Sequence, residues 1–131
     1  MLAAIASLYG LYQINNPRFA GGELSDITFD PSGAEFNVNF NVAIKGYPAG
    51  EKCEVRWTVY DDKIREKLPG PKFQGQTYVD PGRYWTKYGS FTFPIPEEPG
   101  DYYVKLKLFP PDKSGESKPL DVEKSETKQI G

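Results

Sequence analysis

Residues 34–44 read AEFNVNFNVAI, in which Phe36, Val38, Phe40, Val42 and Ile44 alternate with Glu35, Asn37, Asn39, Asn41 and Ala43. Strict alternation over this length places one row of side chains in a core and the other in water, the signature of an extended strand. Asparagine is a poor strand former, so packing of the apolar row must carry the segment. The same period returns at Cys53, Val55, Trp57 and Val59, set against Glu54, Arg56, Thr58 and Tyr60. It returns again at Tyr102, Val104, Leu106 and Leu108, set against Tyr103, Lys105, Lys107 and Phe109. Phe91, Phe93 and Ile95 form a fourth inward row, with Pro94 and Pro96 marking an edge or a strand end.

Between these rows lie turns. Asp30-Pro31-Ser32-Gly33 has the expected chemistry, since proline presets one dihedral and glycine supplies positive φ. Residues 46–50, Asp80-Pro81-Gly82, Pro99-Gly100-Asp101 and Pro110-Pro111-Asp112 are further breaks. Residues 24–29 form a plausible first strand, residues 63–75 a long loop or short edge strand, and residues 76–79 a brief pairing segment. Leu120 and Val122 offer a last strand. The chain's 12 Pro and 13 Gly are spread along it, and its aromatic fraction of 15% argues against disorder for most of it. Its 131 residues are one domain's worth, enough to bury a core without staples. About seven strands at this spacing make an all-β antiparallel sandwich.

Composition excludes much chemistry. Histidine is absent and cysteine occurs once, at Cys53, so a Cys/His zinc site, a triad with a His base and an internal disulfide are all impossible. The 16 basic and 18 acidic residues give a net charge of −2, and Lys and Arg are scattered along the sequence, which gives nucleic-acid binding little support. Asp61, Asp62, Asp80, Glu97 and Glu98 offer oxygen ligands, but without calcium-loop spacing they read as turn residues and solvated charges. Alternation places Cys53 inside as a small hydrophobe beside Trp57. No Asn-x-Ser/Thr acceptor occurs at Asn15, Asn16, Asn37, Asn39 or Asn41. Neither a catalytic residue nor a cofactor or metal site is expected.

Residues 1–14, MLAAIASLYGLYQI, carry no charged side chain. Leu2, Ile5, Leu8, Tyr9 and Tyr12 recur at helical spacing, although Gly10 weakens a helix. The run is shorter than the ~20 apolar residues that span a bilayer. Three roles fit it: the end of a membrane anchor, a helix packed in a membrane or filament core, or an element docked on its own domain. Asn15-Asn16-Pro17 and Gly21-Gly22 make residues 15–22 a linker. The sandwich is then expected over 23–125, with 126–131 a mobile tail.

Two segments carry a resemblance. Residues 54–61, EVRWTVYD, resemble the Trp-bearing third strand of immunoglobulin-like domains. Residues 99–106, PGDYYVKL, resemble the "PG-x-Y-x-V-x-L" sixth strand of bacterial and archaeal immunoglobulin-like and polycystic-kidney-type domains. The resemblance implies an immunoglobulin-like sandwich over roughly 23–125, with Tyr102 anchoring the adjoining corner through its hydroxyl. The bridging cysteine pair of antibody domains is absent. A short apolar segment before a sandwich is also similar to archaeal type IV pilins and archaellins, which implies a filament-core helix, although no processing motif is visible.

Tyr78, Tyr84, Trp85 and Tyr88 cluster in sequence around Asp80-Pro81-Gly82-Arg83. Exposed, they could stack on sugar rings or anchor a protein; inward, they would fill the core end. The expectation is therefore a non-catalytic, extracytoplasmic domain, tethered to the membrane by residues 1–14 and contacting a protein or an envelope component. Its alternatives are a self-assembling filament subunit and a polysaccharide-binding module.

Overall fold

The computed structural model describes residues 22–44, 52–80, 85–110 and 119–131, of which 44 and 85–87 are placed by backbone only. The segment of residues 1–14 and most of the linker, with Leu2, Ile5, Leu8, Tyr9 and Tyr12, lie outside the described residues, as does Tyr84. Among the described residues no helix is long and apolar enough to cross a membrane.

The described chain forms β-strands in chain order: β1 (Gly22–Ser32), β2 (Glu35–Ile44), β3 (Cys53–Asp61), β4 (Glu66–Lys67), β5 (Gln74–Val79), β6 (Trp85–Pro94), β7 (Gly100–Phe109), β8 (Asp121–Lys124) and β9 (Lys128–Ile130). One sheet has the order β1-β2-β6. The other is built on β3 and β7, with β4 and β5 pairing β3 on one side and β8 and β9 pairing β7 on the other. All pairings are antiparallel. The described residues are all-β, with nine strands where the sequence reading gives about seven. The additional pieces are short edge strands whose sequences carry little apolar alternation.

The inward rows meet as read from the sequence. Phe36, Val38, Phe40 and Val42 of β2, Cys53, Val55 and Val59 of β3, and Val104, Leu106 and Leu108 of β7 are all buried, and Trp57 and Tyr102 join them. Phe91 and Phe93 of β6 complete the layer, and Phe91 stacks on Trp57 of the opposite sheet with centroids 4.4 Å apart and planes 12° apart. Each fully buried Val, Leu or Phe contributes about 1.5–3 kcal/mol of transfer free energy.

Three details depart from the sequence reading. First, the β1–β2 hairpin turns at Gly33, whose φ is 67°, and Asp30, Pro31 and Ser32 pair with Asn37, Phe36 and Glu35 instead of forming the turn. Proline is tolerated there because β1 is an edge strand. Second, the register of β1 shifts by one residue between Ser25 and Thr28. Leu24 and Phe29 are an odd number of positions apart, so an unbroken strand would point them to opposite faces. The bulge turns both inward, with Asp26 at φ 51° and its carboxylate accepting from Asn41 Nδ2 at 2.9 Å. Third, the stretch 126–131 was expected to be a mobile tail, yet β9 pairs with Gly100–Tyr102, Ile130 packs on the core and Lys128 meets Asp30 at 3.2 Å. These tertiary contacts have no local sequence signal.

Glycines are placed where large rings need room. Gly89 lies directly opposite Phe40 and Gly75 directly opposite Trp57. A Cβ at Gly89 would stand 2.5 Å from Phe40 Cζ, and one at Gly75 would stand 2.7 Å from Trp57 Cζ2. Each ring lies over a bare backbone and so covers a position that would otherwise be a gap.

Gly89→Ala should therefore destabilise the domain by about 1–3 kcal/mol, the range for overpacking a core, read by urea unfolding of the full chain. A second test is at Ser125, a buried polar residue whose Oγ accepts from Val104 N–H at 2.9 Å and donates to Glu126 C=O at 2.9 Å. Ser125→Ala strands a buried amide and should cost about 1–3 kcal/mol in the same measurement.

Candidate interaction surfaces

Alternation along each strand that fills the core also decides what the two outer faces present. On the three-stranded sheet, Asn37, Asn39 and Asn41 run down the middle strand. Asp30, Thr28 and Ser25 flank them on β1, and Thr92, Ser90 and Tyr88 flank them on β6. The Tyr88 hydroxyl donates to Asn39 Oδ1. Tyr88 is 62% exposed, so this face is polar, with the carboxylates of Asp26 and Asp30 on its β1 side and one protruding ring.

The six-stranded sheet presents a different chemistry. Glu54, Arg56, Thr58 and Tyr60 of β3 face outward beside Phe109, Lys107, Lys105 and Tyr103 of β7. Gln76 and Tyr78 of β5 flank Arg56 and Glu54, and Lys124 and Val122 of β8 flank Lys105 and Lys107. Tyr60 and Tyr103 stack with centroids 5.2 Å apart and planes 3° apart. The Arg56 guanidinium lies 4.1 Å from the Phe109 ring centroid, and its Nε donates to Glu54 Oε1. Lys124 and Lys105 approach Tyr103 and Tyr60 at 5.2 and 5.8 Å. Basic residues scattered along the sequence thus collect on one face. Alternation signals this on each strand, but only the register between strands assembles it.

Tyr78 and Tyr88, two of the four aromatic residues that cluster in sequence, stand on different surfaces. Tyr78 is 53% exposed on the outer face of the six-stranded sheet, where its hydroxyl donates to Glu54 Oε2 at 3.3 Å. Tyr88 stands on the outer face of the three-stranded sheet, across the core. Trp85 is placed by backbone opposite Ile44 at the end of β6. The chain crosses from one sheet to the other between β5 and β6, which separates Tyr78 from Tyr88.

Two of the candidate carboxylates, Asp61 and Asp62, behave as turn residues. Asp61 Oδ1 accepts from Lys63 N–H at 2.9 Å, and Asp62 pairs loosely with Arg65 at 3.6 Å. Among the described residues no group of three or more His, Cys, Asp or Glu side chains could hold a metal ion. Cys53 is fully buried.

Tyr102 makes the contact that the resemblance implied: its hydroxyl donates to Glu98 C=O at 2.7 Å, tying the start of β7 to the preceding turn. Burial, with the nearby negative charges of Asp61 and Glu98, pushes its phenol above its ordinary value of 10.0.

No family model matches this chain, and no curated protein matches it. Solved structures do. The beta-glucosidase 3B of Thermotoga neapolitana in complex with glucose aligns at a TM-score of 0.53 and 15% identity, over 86% of this chain and 17% of that one. The same enzyme in complex with alpha-D-glucose aligns at 0.51 and 16% identity, over 86% and 17%. The chain thus spans about a sixth of those enzymes, and at this identity the likeness extends to the fold: a β-sandwich of two antiparallel sheets.

The Tyr102 phenol ionises in the unfolded chain before it ionises in the folded one. Its stabilising contribution is therefore complete below pH ~10 and is lost as pH rises from there through the raised folded value. Tyr102→Phe should cost about 0.5–1.5 kcal/mol at neutral pH, and its stability should fall less steeply above pH ~10 than that of the parent, as read by denaturant unfolding across the alkaline range.

Proposed function

We propose that this chain is a non-catalytic interaction module of immunoglobulin-like type, held at a membrane on the extracytoplasmic side by its apolar N-terminal segment and contacting a protein partner through an outer sheet face. One observation carries the reading. Among the described residues, Asp61 and Asp62 are committed to a turn and an ion pair and Cys53 to the core, while the two outer faces differ in charge. A sandwich of this kind holds a patterned face rigidly, which limits the ordering cost of association. The Trp57-bearing strand and the Tyr102 corner support the immunoglobulin-like type. The tether rests on the uncharged run of residues 1–14.

A second reading, polysaccharide binding, draws on the exposed Tyr88 ring beside the Asn37, Asn39 and Asn41 amides, a pairing of stacking surface with neutral hydrogen-bonding groups. A filament role hangs on residues 1–14.

The test compares the full chain with one starting at Gly22, which keeps every strand of the described residues. Vesicle flotation and sedimentation should show the full chain bound to lipid and the shortened chain a soluble monomer. Filaments formed by the full chain alone, seen by electron microscopy, would replace the tether with self-assembly. Identical soluble monomers from both would remove the tether.

A further inference from the structure

We propose that the outer face of the six-stranded sheet is a binding site for an extended acidic segment of a protein partner, with Arg56, Lys105 and Lys107 receiving its carboxylates. This deepens the interaction-module reading and rests on it.

The first observation is a pattern of like charges. In the observed register Arg56 stands directly opposite Lys107, and Lys105 directly opposite Lys124. Neighbouring strands are ~4.8 Å apart, and like charges directly opposite one another are unfavourable. A free-standing domain gains nothing from two such pairs side by side, whereas an anion laid between them relieves both. Of the carboxylates on this face, Glu54 stands opposite Phe109 and accepts from Arg56 Nε, leaving the outer nitrogens of that guanidinium to a ligand, and Asp101 stands at the far end next to Tyr103, so that Lys105, Lys107 and Lys124 make the centre cationic. This is a local excess in a chain whose net charge is −2.

The second observation is a receptacle. A shallow cavity of about 150 Å³ is lined by Arg56, Thr58, Tyr60, Lys105, Lys107 and Phe109. Thr58, opposite Lys105, contributes a short hydroxyl side chain between longer neighbours. The cations are held in place by rings, Arg56 over Phe109 and Lys105 near Tyr60. A cation already positioned loses less side-chain freedom on meeting a carboxylate.

The class of partner follows from what the rings are doing. Tyr60 and Tyr103 stack on each other and carry lysines, and Phe109 is covered by Arg56. Those ring faces are occupied, and the exposed Tyr78 ring stands at the β5 edge of the face, beyond Glu54, whereas a sugar or a nucleobase would need an open ring at the cationic centre to stack on. A long polyanion would also meet the chain's net negative charge beyond this patch. An extended peptide fits better. Lys105 and Lys107 are alternate residues of β7, ~6.7 Å apart along the strand, which is the spacing of carboxylates at alternate positions of an extended acidic peptide.

The experiment titrates the isotope-labelled full chain with a short alternating Glu-Ser peptide at low ionic strength, followed by amide shifts. The expected result is shifts along β3, β7 and β8 that weaken as salt rises. Binding should be about tenfold weaker for Arg56→Gln/Lys107→Gln. Lys107→Gln alone, which removes the like-charge pair and keeps the Arg56 contacts to Glu54 and Phe109, should weaken binding and melt no lower than the parent; Lys105→Gln provides an independent second variant. Absent shifts on this face, or unchanged binding by the variants, would overturn the site. So would tighter binding there of polygalacturonate or single-stranded DNA. Peptide shifts confined to the Asn37, Asn39 and Tyr88 face would also overturn it, while leaving the interaction-module reading in place.

Discussion

The two sheets are held in alignment by the stack of Trp57 on Phe91, the closest ring pair between them. Trp57 sits mid-strand on β3, flanked by β7 and β5, and Phe91 sits mid-strand on β6, flanked by β2. A contact between β3, an inner strand of one sheet, and β6, an edge strand of the other, fixes their separation and their relative slide. Phe93 lies 6.0 Å from the same indole, and Phe29 and Phe36 extend the ring cluster into β1 and β2. Because the indole is wide, its cross-strand neighbour has to be small, and Gly75 fills that requirement as Gly89 does for Phe40. These glycines weaken their own strands slightly, and the rings above them restore the lost packing.

With the separation set by aromatic rings, the two seams of the sandwich close by different means. On one side, β1 meets β8 through a hydrogen bond from Leu24 N–H to Asp121 Oδ2 at 2.8 Å, a side-chain link in place of a ladder. The same carboxylate group accepts from Val122 N–H through its other oxygen at 2.9 Å. On the other side, β5 and β6 close through apolar contact, with Val79 packed toward Gly89 and Phe40. A carboxylate at the first seam blocks continuous strand pairing there, so the sheets remain two layers and do not merge into a barrel.

What could be read from the sequence was whatever a period of two encodes. The inward rows of β2, β3 and β7 were legible residue by residue, because each is a long alternation bounded by Pro and Gly. The bulge in β1 was not, because Leu24 and Phe29 fit no single alternation until one extra residue is inserted. Strand β9 was not either, since Lys-Gln-Ile has no pattern of its own and is ordered by the edge of β7. The aromatic cluster at 78–88 was legible as composition but not as a surface, since proximity in sequence across a sheet-to-sheet crossing says nothing about proximity in space. The cationic face is the converse case. Arg56, Lys105, Lys107 and Lys124 are far apart in the chain and become neighbours only through pairings of high sequence separation.

That converse case bears on how such a domain keeps fold and recognition apart. The inward residues of β3 and β7 carry the core, and their outward residues carry the cationic face, so one backbone register serves both. A slip of one residue in the β3–β7 pairing would put Arg56 on the same face as Leu106 and Val55 on the same face as Lys107, so that either face turned inward would bury a charge and leave apolar side chains in water. The burial of Val55, Trp57, Val59, Leu106 and Leu108 therefore enforces the outer pattern as strictly as the inner one. The outer face is then free to hold unfavourable neighbours, Arg56 beside Lys107 and Lys105 beside Lys124, because its geometry is set by the core beneath it and not by attraction between its own side chains.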